Sequence, residues 1–204
     1  MSKSDKKLRD QINAKPQRAK PARASVATKT EANDDTGTTE GTKRGPRVKI
    51  APGSTPSQVL QAHMTDEKQL YGACVLDKAD GDNPTKHTFN ALAKRIDGLA
   101  KKVGEKAVNM IRNRSNPGGV QVYTRIALDH LIEQGKMTSA SLRGVYAGRS
   151  AYGGPYKTGT QSAQANQIMQ LFPALGIAER SEDKSTLTLN KGSAIVADYR
   201  KASK

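Results

Sequence analysis

Residues 123–190 decide the fold expected of this chain, and they read YTRIALDHLIEQGKMTSASLRGVYAGRSAYGGPYKTGTQSAQANQIMQLFPALGIAERSEDKSTLTLN. Apolar residues at helical spacing predict an amphipathic helix over Tyr123–Gln134, ended by the glycine that follows it. A second helix is predicted to begin at Thr138 or Ser139, because either hydroxyl can cap its first turn, and to stop near Gly148. Two short helices therefore open this stretch.

A glycine-rich basic loop and a polar helix come next. The loop, 149–160, keeps two tyrosines and two cations among glycines and a proline that break regular structure. The third helix is predicted to run from Thr160 or Ser162 to about Leu171, with one apolar stripe. Neutral amide and hydroxyl side chains occupy its other face, namely Gln161, Ser162, Gln164, Asn166 and Gln167. Amides of this kind can pair with base edges, best with adenine.

Residues 177–180 and 186–190 flank the turn sequence SEDKS, which predicts a β-hairpin. With this order of helices and hairpin, and with the polar face around Gln164, Asn166 and Gln167, the segment resembles the winged-helix branch of the helix-turn-helix superfamily. The resemblance covers about a third of the chain and implies that the third helix enters a major groove while the hairpin touches the backbone. The loop before the third helix is longer than the usual turn and is a candidate extra contact element.

The composition limits how much of the chain can fold. The 204 residues are 35% hydrophobic and include six Tyr, two Phe and no Trp, which cannot build a large core. The sequence predicts a mainly α-helical protein with a small β-hairpin. Its expected parts are a disordered basic arm over 1–50, a helical region over 55–115 and a winged-helix-like nucleic-acid-binding domain over 118–200.

The formal charge of +15 and the pI near 10.0 make nucleic acid the leading partner, because each Lys or Arg beside a phosphate releases condensed counterions. The excess does not come from the arm alone, since 13 basic and 4 acidic side chains lie between residues 84 and 160. The sequence shows no signal peptide and no apolar run long enough for a bilayer, so no membrane role is expected. With Cys74 as the lone cysteine, the expected location is a reducing cytosol, either on the nucleoid or inside a particle assembled there.

Residues 1–50 carry no aromatic residue and few aliphatic ones, so they cannot bury enough surface to offset chain entropy. A basic cluster, 43–49, stands at the end of this arm. Its Arg44 and Arg47 are predicted to bind phosphate without reading sequence, or to reach into a minor groove. A solubilising tail is the alternative interpretation.

Thr55 and Pro56 predict the cap and first turn of a short helix. Farther on, Asn83 is expected to cap a long helix that begins at Pro84. Apolar residues recur along that helix at intervals of three and four, which is a heptad pattern and predicts packing within the domain or across a homodimer. The residues of this seam are Phe89, Leu92, Ile96, Leu99 and Val103.

Enzymatic chemistry is not expected. The three histidines stand alone, without a cysteine or carboxylate at a zinc-ligand interval, and Cys74 is expected to be buried. The acidic turn at 77–83 lacks the glycine and terminal glutamate of an EF-hand loop. Tyr156 occupies the place where a phosphate-loop motif needs glycine before Lys157, which argues against nucleotide hydrolysis. No metal and no cofactor are predicted.

The predicted function is non-catalytic binding of double-stranded DNA, as a regulator or a replication or partition factor of a bacterium, plasmid or phage. Base contacts are expected from Gln164, Asn166 and Gln167, with Thr160, Gln161 and Ser162 on the same helix. The predicted phosphate contacts are Arg112, Arg114, Arg143, Arg149, Lys157 and Lys184. Tyr152 and Tyr156 are expected to donate hydrogen bonds or to offer stacking faces.

Two other functions remain open at this point. Binding of RNA or single strands is favoured by the tyrosines of the long loop and by the adaptable arm. A structural or assembly protein of a virion or nucleoid would use the same helices to pack against copies of itself, and its charge would merely tolerate nucleic acid.

Overall fold

The computed structural model describes residues 51–78, 83–148 and 155–204, which belong to one compact unit, Gly45–Lys204. The helices are α1 (Pro56–His63), α2 (Glu67–Ala73), α3 (Lys86–Ile96), α4 (Lys101–Arg112), α5 (Val122–Gln134), α6 (Ser139–Gly148), α7 (Thr158–Ala174) and α8 (Ala194–Ala202). The strands are β1 (Lys136–Thr138), β2 (Ala178–Arg180) and β3 (Thr186–Leu189), and a 3-10 turn spans Pro117–Gly119. Several predictions lie outside the described residues: the disordered arm with Arg44 and Arg47, part of the acidic turn, and Arg149 and Tyr152.

The start of α1 is fixed by local and distant hydrogen bonds. Thr55 caps the helix as predicted, and it forms a capping box with Gln58, in which each side chain accepts from the other residue's backbone N–H. Asp97 adds a tertiary cap, because its carboxylate accepts from Ser57 N at 2.8 Å and from Ser57 Oγ at 2.6 Å. A carboxylate at this end of a helix also complements the helix dipole.

The long helix predicted from Pro84 is two helices. Thr85, and not Asn83, caps α3, which ends at Ile96, and α4 begins at Lys101. The break lets both apolar stripes face inward, with α3 packed against α1 and α2, and α4 packed against α1 and α7.

This break also decides where the predicted dimer seam lies. Leu92, Ile96 and Val103 are at most 2% exposed in the chain's own core, and Phe89 and Leu99 pack half-buried against it. The seam is therefore part of the intramolecular core, which corrects the prediction that these residues join a homodimer.

The segment from α5 to α6 follows the predicted helices closely. Gly135 ends α5 with φ of 72°, a left-handed conformation that favours glycine, and the chain turns directly into β1. Thr138 then caps α6, since its Oγ1 accepts from Ser141 N at 3.1 Å while Ser141 Oγ accepts from Thr138 N at 3.0 Å. The strand β1 was not predicted, because three residues are too few to show alternation.

The predicted hairpin is two strands of a three-stranded antiparallel sheet with the order β1-β3-β2. Leu187 in the central strand pairs with Met137 on one side and with Arg180 on the other. Met137, Leu187 and Ala178 are buried, so one face of the sheet closes the core beneath α5 and α7. The predicted fold class, mainly helical with a small β-element, is confirmed.

The helix α7 is longer than predicted at both ends and accommodates Pro173 in its last turn. Ile168, Leu171 and Phe172 are fully buried on its inner side. Because α4 packs against this helix, the two regions predicted over 55–115 and 118–200 share one hydrophobic core.

The C-terminal helix α8 was not predicted and ties the two ends of the described chain together. Tyr199 donates from its hydroxyl to Asp129 Oδ1 at 2.8 Å, which joins α8 to α5. Leu76 accepts from Ala194 N at 2.9 Å, which joins the start of α8 to the segment after α2. No helix in the described part of the chain has the length and apolar character needed to cross a membrane.

Candidate functional site

An uncharged polar strip runs along the outer side of α7. The helix contains no Asp, Glu, Lys or Arg. Its exposed residues are Thr158 and Gly159 in the first turn, and then Ala163, Asn166 and Gln170 at intervals of three or four. Asn166 and Gln170 are therefore the amides that face outward from the middle of the helix. Gln170 was missed in the sequence, although its spacing of four from Asn166 was the signal that could have found it.

Other polar side chains of α7 do not share this strip. Gln161 donates through its side-chain amide to the carbonyl of Tyr156, so it secures the start of the helix. The side-chain oxygen of Gln164 is buried without a hydrogen-bond partner, and Gln164 and Gln167 line a cavity on the other flank. The buried oxygen of Gln164 corrects the prediction that Gln164 reads a base edge. Thr160 and Ser162 are half-buried.

A groove of about 490 Å³ lies beside the polar strip, and we call it the helix–hairpin groove. It is bounded by the start of α6, by α7 and by the β2–β3 hairpin. Its polar and cationic lining includes Arg143, Asn166, Gln170, Arg180, Lys184 and Ser185. No acidic residue of the described chain lines it. Three cations and two outward amides therefore share one concave surface, and Arg180 and Gln170 join the predicted residues there.

The hairpin turn places Lys184 at the edge of this groove. Lys184 has φ of 59°, and its carbonyl accepts from Arg180 Nε at 3.1 Å. Asp183 is engaged inside the turn, because it accepts from the Ser181 hydroxyl and from both the hydroxyl and the backbone N–H of Ser185. These bonds, with the one from Ser181 largest, lower the pKa of Asp183 to about 2. The Asp183 carboxylate is therefore hydrogen-bonded within the turn.

The hairpin also carries Glu179 and Glu182, which are exposed and do not line the groove. The hairpin as a whole carries both signs of charge, but the side that faces the groove carries only cations.

Arg114 does not lie on this surface. It is buried, and it donates from Nε to Asp198 Oδ2 at 2.6 Å and from Nη1 to the carbonyls of Ala73 and Val75, both at 2.9 Å. The prediction that Arg114 binds phosphate is corrected, because the buried guanidinium donates to Asp198 and to backbone carbonyls of the protein itself. Arg112 is exposed at the end of α4, outside the helix–hairpin groove.

Tyr156 belongs to an aromatic cluster that anchors the start of α7. Its ring centroid lies 4.6 Å from that of Tyr123 and 6.3 Å from that of Tyr146. Tyr146 is fully buried and donates to the Tyr123 carbonyl at 2.9 Å, and burial raises the pKa of this phenol. The half-buried Tyr156 ring therefore packs against Tyr123 within the protein, and its contact with nucleic acid stays a prediction. Lys157 follows it and is exposed immediately before α7.

A second concave surface, of about 660 Å³, lies on the opposite flank of α7, and we call it the Lys106 cavity. It is lined by α4, the 3-10 turn, the start of α5, and Gln164 and Gln167 of α7. Lys106 is only 5% exposed and donates to Gln121 Oε1 at 3.1 Å. The break between α3 and α4, which was not predicted, turns Lys106 inward.

The described residues offer no metal centre and no reactive thiol. No group of three or more potential metal-ligating side chains occurs among them. Cys74 is buried as predicted, and burial raises the pKa of its thiol to about 12. Burial also lowers the pKa of His63, and the nearby charge of Arg112 acts in the same direction.

Comparison of the chain with protein-family models, with curated proteins and with solved structures gives no match.

Proposed function

We propose that the segment from α5 to β3 is a winged-helix-like module that binds double-stranded DNA, with α7 in the major groove and the hairpin against the backbone. The order α5-β1-α6-α7-β2-β3 and the three-stranded sheet support this proposal, since a helix followed by two more and a hairpin is the arrangement by which such modules dock. The proposal is for a non-catalytic regulator or a replication or partition factor.

One observation carries the proposal: an uncharged amide strip lies directly beside a groove that holds three cations. Phosphate contacts fix the position of a protein on a duplex, whereas contacts to base edges provide sequence preference. Asn and Gln can pair with N6 and N7 of adenine, and Arg and Lys neutralise phosphates. A surface with both kinds of group side by side suits a duplex better than it suits an acidic protein.

The proposed roles follow from position. Asn166 and Gln170 face base edges, because they are the outward amides of α7. Arg143, Arg180 and Lys184 hold a backbone that lies in the helix–hairpin groove. Lys157 is exposed immediately before α7 and contacts a phosphate beside the N-terminal end of this helix, at the edge of the DNA major groove.

The test is selection of bound sequences from a random duplex library by the full chain and by the double variant Asn166→Ala/Gln170→Ala. We expect the wild-type chain to enrich a motif, and the variant to lose that motif while its affinity for random duplex changes less than about threefold. Gln134→Ala, which removes an exposed amide at the end of α5, is the matched control and should keep the motif.

The proposal is wrong if the wild-type chain enriches no motif and binds single strands or structured RNA as tightly as duplex. Concentration-dependent assembly without any site preference would instead indicate a structural protein of a virion or nucleoid.

A further inference from the structure

The Lys106 cavity contains a buried cation without a matching anion. Among the described residues the ion pairs are Lys102–Glu105 and Arg114–Asp198, so no carboxylate lies within ion-pair distance of Lys106. Glu105 acts on Lys106 only through its nearby charge. The Lys106 ammonium makes one hydrogen bond, to Gln121, and lies 5.6 Å from the centroid of the Tyr123 ring. Burying an ammonium without a close counter-charge is unfavourable, so an anion that enters the cavity would stabilise the charged form of Lys106.

The other side chains of the cavity fit an anion with several oxygen atoms. Lys102 and Arg125 add cations to the lining, and Glu105 is its one carboxylate among the described residues. The buried end of the Gln164 amide has no partner. Rotation of this amide exchanges its oxygen for its NH₂ without changing the shape of the side chain, so Gln164 can donate to a ligand oxygen.

The position of the cavity relative to α7 indicates where the anion comes from. Gln164 and Gln167 face the Lys106 cavity, whereas Asn166, Met169 and Gln170 line the helix–hairpin groove. The helix α7 therefore has a cationic concave surface on each side, and Asn166 and Gln170 of the exposed strip belong to the helix–hairpin groove. A helix in a major groove about 12 Å wide has a phosphate backbone on each side of it in the same way.

We propose that the Lys106 cavity binds a backbone phosphate of the same duplex, on the strand opposite the one held by the helix–hairpin groove. This inference depends on the proposed function, and it adds α4, from outside the winged-helix-like segment, to the DNA-binding surface. Lys106 donates to the phosphate, while Lys102 and Arg125 contribute charge at the rim of the cavity.

The protonation of Lys106 supplies a signature for this contact. Burial lowers its pKa to about 8, with Glu105 acting in the opposite direction and Lys102 in the same one. A bound phosphate favours the charged ammonium and therefore raises this pKa. Above pH 8 the free protein must take up a proton to bind, so duplex affinity should fall by up to about tenfold per pH unit.

The first experiment compares the full chain with Lys106→Met, which keeps an unbranched stem against Tyr123, and with Lys94→Met, which removes an exposed cation from α3. Duplex affinity is measured by fluorescence anisotropy across pH 7–9 and across salt. We expect Lys106→Met to lower the salt slope by about 0.9 and to flatten the pH dependence. Lys94→Met should leave the pH dependence unchanged.

The other titratable groups near Lys106 are the same in the wild-type chain and in Lys106→Met. The charged and titratable side chains that face Lys106 are Lys102 and Glu105 of α4 and Tyr123 and Arg125 of α5, while α7 contributes the neutral Gln164 and Gln167. All of them are retained in Lys106→Met. The difference between the two pH profiles therefore belongs to Lys106.

The second experiment follows the Lys106 ammonium by NMR in the wild-type chain, so it does not depend on how a variant folds. Its titration is recorded for the free protein, with saturating duplex, and with inorganic phosphate. A raised midpoint with duplex, and a shift with inorganic phosphate only at much higher concentration, supports the proposal. An unchanged midpoint with bound duplex overturns it and leaves the proposed function intact.

Absence of duplex binding by the wild-type chain would instead reject the proposed function, and with it the duplex as the source of the phosphate. The inorganic phosphate arm then decides the cavity by itself. A raised midpoint of the Lys106 titration with inorganic phosphate would show that the cavity binds an anion. An unchanged midpoint would reject anion binding by the cavity as well.

Discussion

Arg114 Nε donates to Asp198 Oδ2 at 2.6 Å, so one side chain links the end of α4 to α8 across 84 residues of sequence. The same guanidinium holds the carbonyls of Ala73 and Val75. Arg114→Met should lower the free energy of unfolding by about 3 kcal/mol, because it leaves buried carbonyls unpaired. Asp198→Asn should cost about 1 kcal/mol, because the carbonyl contacts remain. Urea unfolding of both variants measures these differences.

The same variants separate structural from DNA-binding roles. Since Arg114 is buried in the core, folded Arg114→Met should bind duplex as tightly and with the same salt slope as the wild-type chain. A lower salt slope of duplex binding in fully folded Arg114→Met would instead support the phosphate contact predicted for Arg114.

The helix–hairpin groove predicts which cations matter for duplex binding. Arg143→Gln and Arg180→Gln should each weaken binding to all sequences alike and reduce the salt slope by about 0.9, because each removes one phosphate contact. Arg95→Gln, an equal charge change on the exposed side of α3, is the control. If all three variants weaken binding equally, net charge and not the groove determines affinity.

Gln164 and Asn166 should behave differently although both are amides of α7. Gln164→Met should leave the selected motif unchanged, because its polar end is buried on the flank away from the exposed strip. The substitution should also raise the free energy of unfolding slightly, by up to about 1 kcal/mol, since it removes an unpaired buried oxygen. Sequencing of the bound duplexes and thermal unfolding check the two parts. A changed motif would place Gln164 at a base edge after all.

Gly104 is required by the contact between α4 and α1. A Cβ at this position would lie 2.5 Å from Pro56 Cγ, and a proline ring cannot rotate away. Gly104→Ala should therefore lower the free energy of unfolding by about 1–3 kcal/mol. The matched control is Gly144→Ala in α6, where no atom lies within 4 Å and alanine should stabilise the helix. Chemical denaturation of both proteins decides the comparison, and equal effects would contradict the close contact.

Lys106 should make the unfolding free energy depend on pH. Its pKa in the folded chain is about 8, below the ordinary value of 10.5, so between these values the unfolded chain binds more protons than the folded one. The free energy of unfolding should therefore rise with pH in this window, by at most about 1.4 kcal/mol per unit. Lys106→Met should remove the rise. The measurement is urea unfolding from pH 7.5 to 10, and identical pH profiles for the two proteins would contradict a buried ammonium.

Local sequence signals predicted three of the helix ends. Thr55 with Pro56, Thr138 before α6, and the glycine after α5 each act within a few residues, through hydrogen bonds or backbone conformation that neighbours supply. The same is true of the polar character of α7, because its residue types do not depend on what surrounds them. Arg143 and Lys184, which the sequence predicts as phosphate contacts, line the helix–hairpin groove, and their contact with phosphate stays a prediction.

Contacts between elements that are far apart in the sequence could not be predicted from local patterns. The strand β1 exists because Met137 pairs with Leu187, fifty residues away, and three residues cannot show a strand pattern alone. Arg114 and Lys106 carry ordinary surface charges in the sequence, and both are buried in the folded chain.

The sequence by itself determined the helical class, the basic charge and the uncharged face of α7, since these depend on residue type and on spacing along one element. Only the tertiary structure decided that the predicted dimer seam is core, that Arg180 and Gln170 join Arg143 in one groove, and that Lys106 faces a cavity. Each of these depends on how separate helices pack, and packing is set by the burial of several apolar faces at once.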